Sequence, residues 1–84
     1  MYRIEYTTHA RRAFKKLDRV TATSLRDVIR RLAENPRPHN CIKLTGRPQW
    51  RIREGRYRVI YEIDDGVLLV LITDVQFRRE DTYD

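Results

Sequence analysis

The stretch that most constrains this chain runs from Trp50 to Ile63, WRIREGRYRVIYEI. It reads as two strands joined by a tight turn at Glu54-Gly55, because β-forming residues alternate with arginine on both sides of a glycine. Placing Arg53 opposite Arg56 sets Ile52 against Tyr57, Arg51 against Arg58 and Trp50 against Val59. Side chains alternate faces along a strand. Trp50, Ile52, Tyr57, Val59 and Tyr61 therefore share one face, and Arg51, Arg53, Arg56 and Arg58 share the other. The apolar set matches across the hairpin only in this register, and a one-residue slip would press arginines into the core.

The arginine face needs a reason. Like charges opposed across a ladder are destabilising. Two guanidinium groups ~8 Å apart repel by roughly 0.5 kcal/mol in water and about 2 kcal/mol at an effective dielectric of 20. A docked polyanion reverses that sign. A solvated outer face with splayed side chains is the competing account. Phosphate recognition explains the cluster better, because the guanidinium fork grips phosphate through two parallel hydrogen bonds.

The rest of the composition agrees with an anionic partner. The net charge is +6 and the pI about 10.0, the balance of a small domain that seeks nucleic acid or an acidic protein. With 84 residues, 40% hydrophobic and 36% charged, the chain is expected to form one globular domain spanning residues 1–84, with a modest core. Its one cysteine, Cys41, cannot close an internal disulfide, which points to a reducing compartment. No Cys/His cluster stands at metal spacing, and no cofactor is implied. The opening MYRIEYT does not read as a leader, and no apolar run approaches the ~18 residues of a membrane span. A soluble, cytoplasmic protein with no membrane partner is expected.

In chain order, Tyr2 to Thr7 alternates as a short strand, and Thr7 or Thr8 is placed to cap a helix from His9 to about Leu17. Ala10, Ala13, Phe14 and Leu17 make its apolar stripe. Arg11, Arg12, Lys15 and Lys16 lie on the other side, either as a solvated face or as a second contact to phosphates, with Arg11 and Lys15 as candidates. A turn at Asp18-Arg19 leads to a second helix, about Val20 to Asn35, stopped by Pro36. His9 and His39 read as surface residues. Ile42 to Leu44 is a brief extended segment in an irregular stretch, Pro36 to Pro48. After a turn at Asp64-Asp65-Gly66, Val67 to Ile72 is apolar without alternation, the pattern of a central strand buried on both faces. The predicted fold is α+β, in the order β-α-α-β-β-β, with a two-helix hairpin packed on one face of a small antiparallel sheet and the arginines on the other.

The opening YRIEYTTHARRAFKKL, the segment IKLTGRPQWRIREGRYRVIYEI, the strand VLLVLI and the tail FRREDTYD resemble the RelE/ParE superfamily of bacterial and archaeal toxins. The resemblance covers nearly the whole chain. It implies the toxin of a type II toxin–antitoxin system and, in the RelE-like branch, an mRNA interferase: an endoribonuclease that cuts messenger RNA in the ribosomal A site without a metal. Its implied partners are a cognate antitoxin, acidic or amphipathic, and the ribosome. Its implied catalytic residues are Arg51, Arg53, Arg58, Arg78 and Tyr83, with Arg56 and Arg79 as further RNA contacts. Relatives often carry Gly-His-Arg or Gly-Lys-Arg in the tail, where this chain has Gln76-Phe77-Arg78, so a titratable group is missing at Phe77. On this reading the arginines stabilise the phosphorane-like charge and Tyr83, beside Arg78 and Arg79, is the base, while the acid is unassigned. Gyrase inhibition, as in the ParE branch, and a module that binds nucleic acid or antitoxin without chemistry are the alternatives.

Overall fold

Two side-chain caps start the helices. The computed structural model describes residues 1–77. Strand β1 (Arg3–Tyr6) leads to Thr7, whose hydroxyl accepts a hydrogen bond from the Ala10 amide at 3.1 Å and opens helix α1 (Thr8–Lys15). Asp18 does the same for helix α2 (Arg19–Leu32), accepting from the Thr21 amide at 2.8 Å. Hydrogen bonding from the Thr21 hydroxyl, and then from its amide, holds the Asp18 carboxyl below its ordinary pKa. The helices stop two and three residues before the expected ends at Leu17 and Asn35. Four strands follow: β2 (Cys41–Lys43), β3 (Gln49–Glu54), β4 (Tyr57–Asp64) and β5 (Leu69–Phe77).

The five strands form one sheet in the order β1-β5-β4-β3-β2. The β2–β3, β3–β4 and β4–β5 pairs are antiparallel, as expected for neighbours joined by short connections. The edge strand β1 differs. It lies parallel to β5, with Arg3 opposite Leu69 and Tyr6 opposite Ile72, so the sheet is mixed. Turn geometry dictates direction only for strands that are adjacent in sequence, and nearly the whole chain separates these two.

One face of the sheet takes both helices. Phe14, Leu25, Ile29 and Leu32 pack against Ile52, Val59, Tyr61, Val70, Ile72 and Val75, all buried. The face assignment read from the hairpin therefore holds, with Trp50 and Tyr57 partly buried against the same core.

The hairpin register does not hold. Arg53 lies opposite Arg58, Ile52 opposite Val59 and Arg51 opposite Ile60. Every partner is displaced by two residues from the expectation. A two-residue shift keeps each side chain on its face, so alternation cannot detect it. The turn decides. Gly55 has φ +58° and is the first residue of a two-residue loop, Gly55-Arg56, the place a type II′ turn gives to glycine. Arg56 sits in that loop rather than on a strand.

The last strand also departs from expectation. It starts at Leu69, and Val67 and Leu68 stand exposed in a four-residue turn that Leu68 closes with φ +53°. The strand is interior, between β1 and β4, but its burial alternates: Val70 and Ile72 are fully buried, while Leu69 and Leu71 are only partly covered.

Candidate active-site cleft

A single extra residue in β5 builds the site. The β4–β5 ladder pairs Tyr61 with Ile72 but Ile60 with Asp74, so Thr73 is a bulge. A bulge reverses which residues point to which face. Val70 and Ile72 face the core before it, and Val75 after it. Asp74 and Gln76 are thereby turned to the open face, beside Arg58. Two hydroxyl bonds hold the bulge: Thr73 Oγ1 donates to the Ile60 carbonyl at 3.1 Å, and Thr7 Oγ1 donates to the Thr73 carbonyl at 3.3 Å.

The open face carries a cleft of about 720 Å³. Its floor is Arg51, Arg58 and Ile60, and β5 adds Thr73, Asp74 and Gln76. β2 and the turn after it supply one wall with Lys43, Leu44, Thr45 and Arg47. Lys43 Nζ donates to the Arg47 carbonyl at 2.9 Å and ties that turn to the strand. His9, at the start of α1, forms the opposite rim. Among the described residues the lining has four basic side chains, Lys43, Arg47, Arg51 and Arg58, against one carboxylate, Asp74.

Arg51 is the most buried of these, 6% exposed. Its cross-strand neighbours explain why: Ile42 on β2 and Ile60 on β4 flank it in the ladder. Arg51 thus stands between two isoleucines on the open face and lines the cleft. Arg58 is held differently. Its Nε donates to Gln76 Oε1 at 2.7 Å. Gln76 Nε2 donates in turn to Asp74 Oδ2 at 2.8 Å, and Asp74 Oδ1 accepts from the Val75 amide at 2.8 Å. None of the four hairpin arginines is without a partner.

The expected site residues are thus distributed. Arg51 and Arg58 meet in the cleft, and Arg53 stands directly across the hairpin from Arg58. Arg56 is exposed at the turn. Arg11 and Lys15 line a separate depression with Tyr6, Phe14 and Arg26. His39 lines another, beside Arg53. Arg78, Arg79 and Tyr83 lie outside the described residues. Phe77 packs edge-on against Tyr57, ring centroids 5.3 Å apart, and does not line the cleft. Sequence reasoning missed His9, Asp74 and Gln76. Their one visible signal was the polar pair Thr73-Asp74 inside an otherwise strand-like run.

Comparison with known proteins adds the lineage. The family model of the ParE toxin of the type II toxin–antitoxin system, parDE, matches residues 4–82. The chain belongs to this toxin family. Solved structures agree with its fold. The toxin is 28% identical to a chain of the RelBE2 toxin–antitoxin complex from Mycobacterium tuberculosis, over 92% of this chain and 98% of that one, with a TM-score of 0.80. It is 25% identical to a chain of the archaeal RelE–RelB complex from Pyrococcus horikoshii, over 94% and 97%, with a TM-score of 0.82. The YoeB/ParE toxin from Agrobacterium tumefaciens shares the fold at 16% identity, over 94% and 100%, with a TM-score of 0.78. None of the curated proteins matches the toxin in sequence. Among the described residues no helix is long and apolar enough to cross a membrane.

Proposed function

We propose that this toxin is an endoribonuclease that cuts messenger RNA on the ribosome and so inhibits translation. The observation that carries the reading is the pairing of Arg51 and Arg58 in one cationic cleft on the sheet face that the helices leave open. A cleft with four fixed cations and one carboxylate suits a phosphodiester, whose cleavage passes through a more highly charged phosphorane. Arg51 is buried between two isoleucines of the ladder, and Arg58 is oriented by Gln76 before substrate arrives. Preorganised donors of this kind stabilise developing charge without reorganisation at the moment of reaction.

In this reading Arg51, Arg53 and Arg58 bind the scissile phosphate and neutralise its charge. Arg78 and Tyr83 come from the resemblance alone, Tyr83 as the base that takes the ribose 2′-hydroxyl proton. Arg56 and Arg79 contact the strand beyond the cut, and Arg11 and Lys15 offer a further phosphate contact on the helical side. A cognate antitoxin is the second partner, as in the RelBE2 and RelE–RelB complexes to which the toxin is similar.

Incubation of the toxin with programmed ribosomes, followed by mapping of RNA ends, tests the proposal. Cuts confined to mRNA in the A site are expected, and Arg51→Ala or Arg58→Ala should abolish them. The competing activity, gyrase inhibition, follows from the ParE name of the matching family. Intact mRNA together with inhibited DNA supercoiling would establish that activity instead.

A further inference from the structure

The cleft holds three arginines, which do not release protons readily, yet cutting RNA requires one group to give a proton to the leaving oxygen. His9 stands on its rim. The His9 Nε2 is 3.0 Å from Asp74 Oδ1, and its Nδ1 has no protein partner among the described residues. The imidazole is exposed, at 72% of its side-chain surface, while Asp74 behind it is 24% exposed.

Both members of this pair are placed from two sides. Asp74 is aimed at the cleft by the Thr73 bulge and pinned by the Val75 amide and Gln76 Nε2, each at 2.8 Å. His9 follows the Thr7 cap, and Thr7 is itself bound to β5: its amide donates to the Ile72 carbonyl at 2.9 Å. The same carboxylate leads through Gln76 to Arg58, so His9 and the phosphate-binding arginine belong to one hydrogen-bonded chain. Histidine is the one side-chain type among the described lining residues suited to proton transfer near neutral pH. The charged groups around it are Asp74 on β5, Arg58 on β4, Arg51 on β3, Lys43 and Arg47 beside β2, and Arg12 one turn along α1.

We propose that His9, oriented by Asp74, is the general acid of the cleft. The proposal rests on the ribonuclease reading and fills the role that reading leaves open. In the step, the base removes the 2′-hydroxyl proton and the 2′-oxygen forms a bond to phosphorus. The bond from phosphorus to the 5′-oxygen breaks, its electron pair stays on that oxygen, and the proton on His9 Nδ1 passes to it. The products are a 2′,3′-cyclic phosphate and a 5′-hydroxyl. Asp74 is a positioning residue: it fixes the ring by Nε2 and leaves Nδ1 for the substrate.

The test compares two substrates on programmed ribosomes under single-turnover conditions. One is ordinary mRNA. The other carries sulfur in place of the scissile 5′-oxygen, which leaves as thiolate and needs no proton. His9→Gln should slow ordinary mRNA by roughly 10²–10⁴-fold and restore most of that loss on the sulfur substrate. Asp74→Asn should follow it more weakly, and Arg58→Ala should stay slow on both. The parent rate should fall at alkaline pH on ordinary mRNA only. Parent-rate cleavage by His9→Gln, or equal slowing on both substrates, overturns the assignment while leaving the ribonuclease reading intact. A parent toxin that cuts neither substrate overturns the ribonuclease reading, and His9 loses this role with it.

Discussion

Gln76 stands between Arg58 and Asp74, accepting from the guanidinium at 2.7 Å and donating to the carboxylate at 2.8 Å. It joins the cation of the cleft to its carboxylate through one amide. In the proposed reaction Gln76→Ala should therefore cost about tenfold in single-turnover cleavage, the worth of one well-placed hydrogen bond. The thermal midpoint should move by only a few degrees, because Gln76 is not in the core. A large loss of stability with unchanged cleavage would assign the residue to folding instead.

Arg51 separates charge from packing. The residue lies between Ile42 and Ile60 in the ladder and is 6% exposed, so truncation removes buried methylenes as well as a cation. Arg51→Ala should lower stability by about 1–3 kcal/mol, whereas Arg51→Met, which keeps the stem, should lower it by less than about 1 kcal/mol. Both should abolish toxicity. Growth arrest and urea unfolding on the same pair of variants check this.

Tyr61 tests the core. Its ring is fully buried, and its hydroxyl donates to the Pro36 carbonyl at 2.8 Å across the layer. Burial pushes the phenol well above its ordinary pKa. Tyr61→Phe leaves that carbonyl without its donor, at a cost of about 1–3 kcal/mol. In a domain this small that corresponds to a fall of roughly 4–8 °C per kcal/mol, read by thermal melting.

The pH dependence should report Asp65. Arg37 grips it through both oxygens, at 3.2 and 2.8 Å, and the Tyr2 hydroxyl donates to it as well. These bonds hold the Asp65 carboxyl below its ordinary pKa, Arg37 first and Tyr2 second. A carboxyl depressed in the folded state contributes stability above its unfolded pKa and loses that contribution as pH falls through the folded one. Melting temperature should thus drop on acidification below about pH 4, and Asp65→Asn should melt earlier at pH 7 but show a shallower acid drop. Parallel curves for the two proteins would show that Asp65 plays no part in the acid response.

The antitoxin should be bound partly through charge. Between Thr8 and Leu32 stand eight lysines and arginines against Asp18 and Asp27, while the remainder of the chain has ten of each sign. The entire excess therefore sits on the helical segment, which offers an acidic or amphipathic partner its longest-range attraction. Affinity for the antitoxin should weaken as salt rises, measured by titration from low to high ionic strength. An affinity indifferent to salt would show that apolar burial, not charge, holds the complex together.

Much of the fold was legible because it rests on local chemistry. The Thr7 cap, the break at Asp18-Arg19, the stop before Pro36, and the apolar stripes of both helices need only neighbours a few positions away. The site was legible by halves. Arg51 and Arg58 stand out in the sequence as a charged face, but the register with Arg53 opposite Arg56 pairs Arg51 with Arg58, whereas its neighbours in the sheet are isoleucines. A long-range pairing, Arg3 with Leu69, makes the sheet mixed where hairpin logic predicts antiparallel strands.

What the sequence determined alone is parity: which residues of the hairpin look toward the helices and which look away, since alternation repeats every two positions and survives a shift of two. What only the tertiary structure decided is who meets whom. Gly55 chose the register by taking a left-handed φ, and Thr73 chose the contents of the cleft by bulging. His9 reached Asp74, 65 positions away, because α1 is anchored on β5. Contacts between distant residues depend on the cumulative geometry of every element between them, which local patterns do not encode.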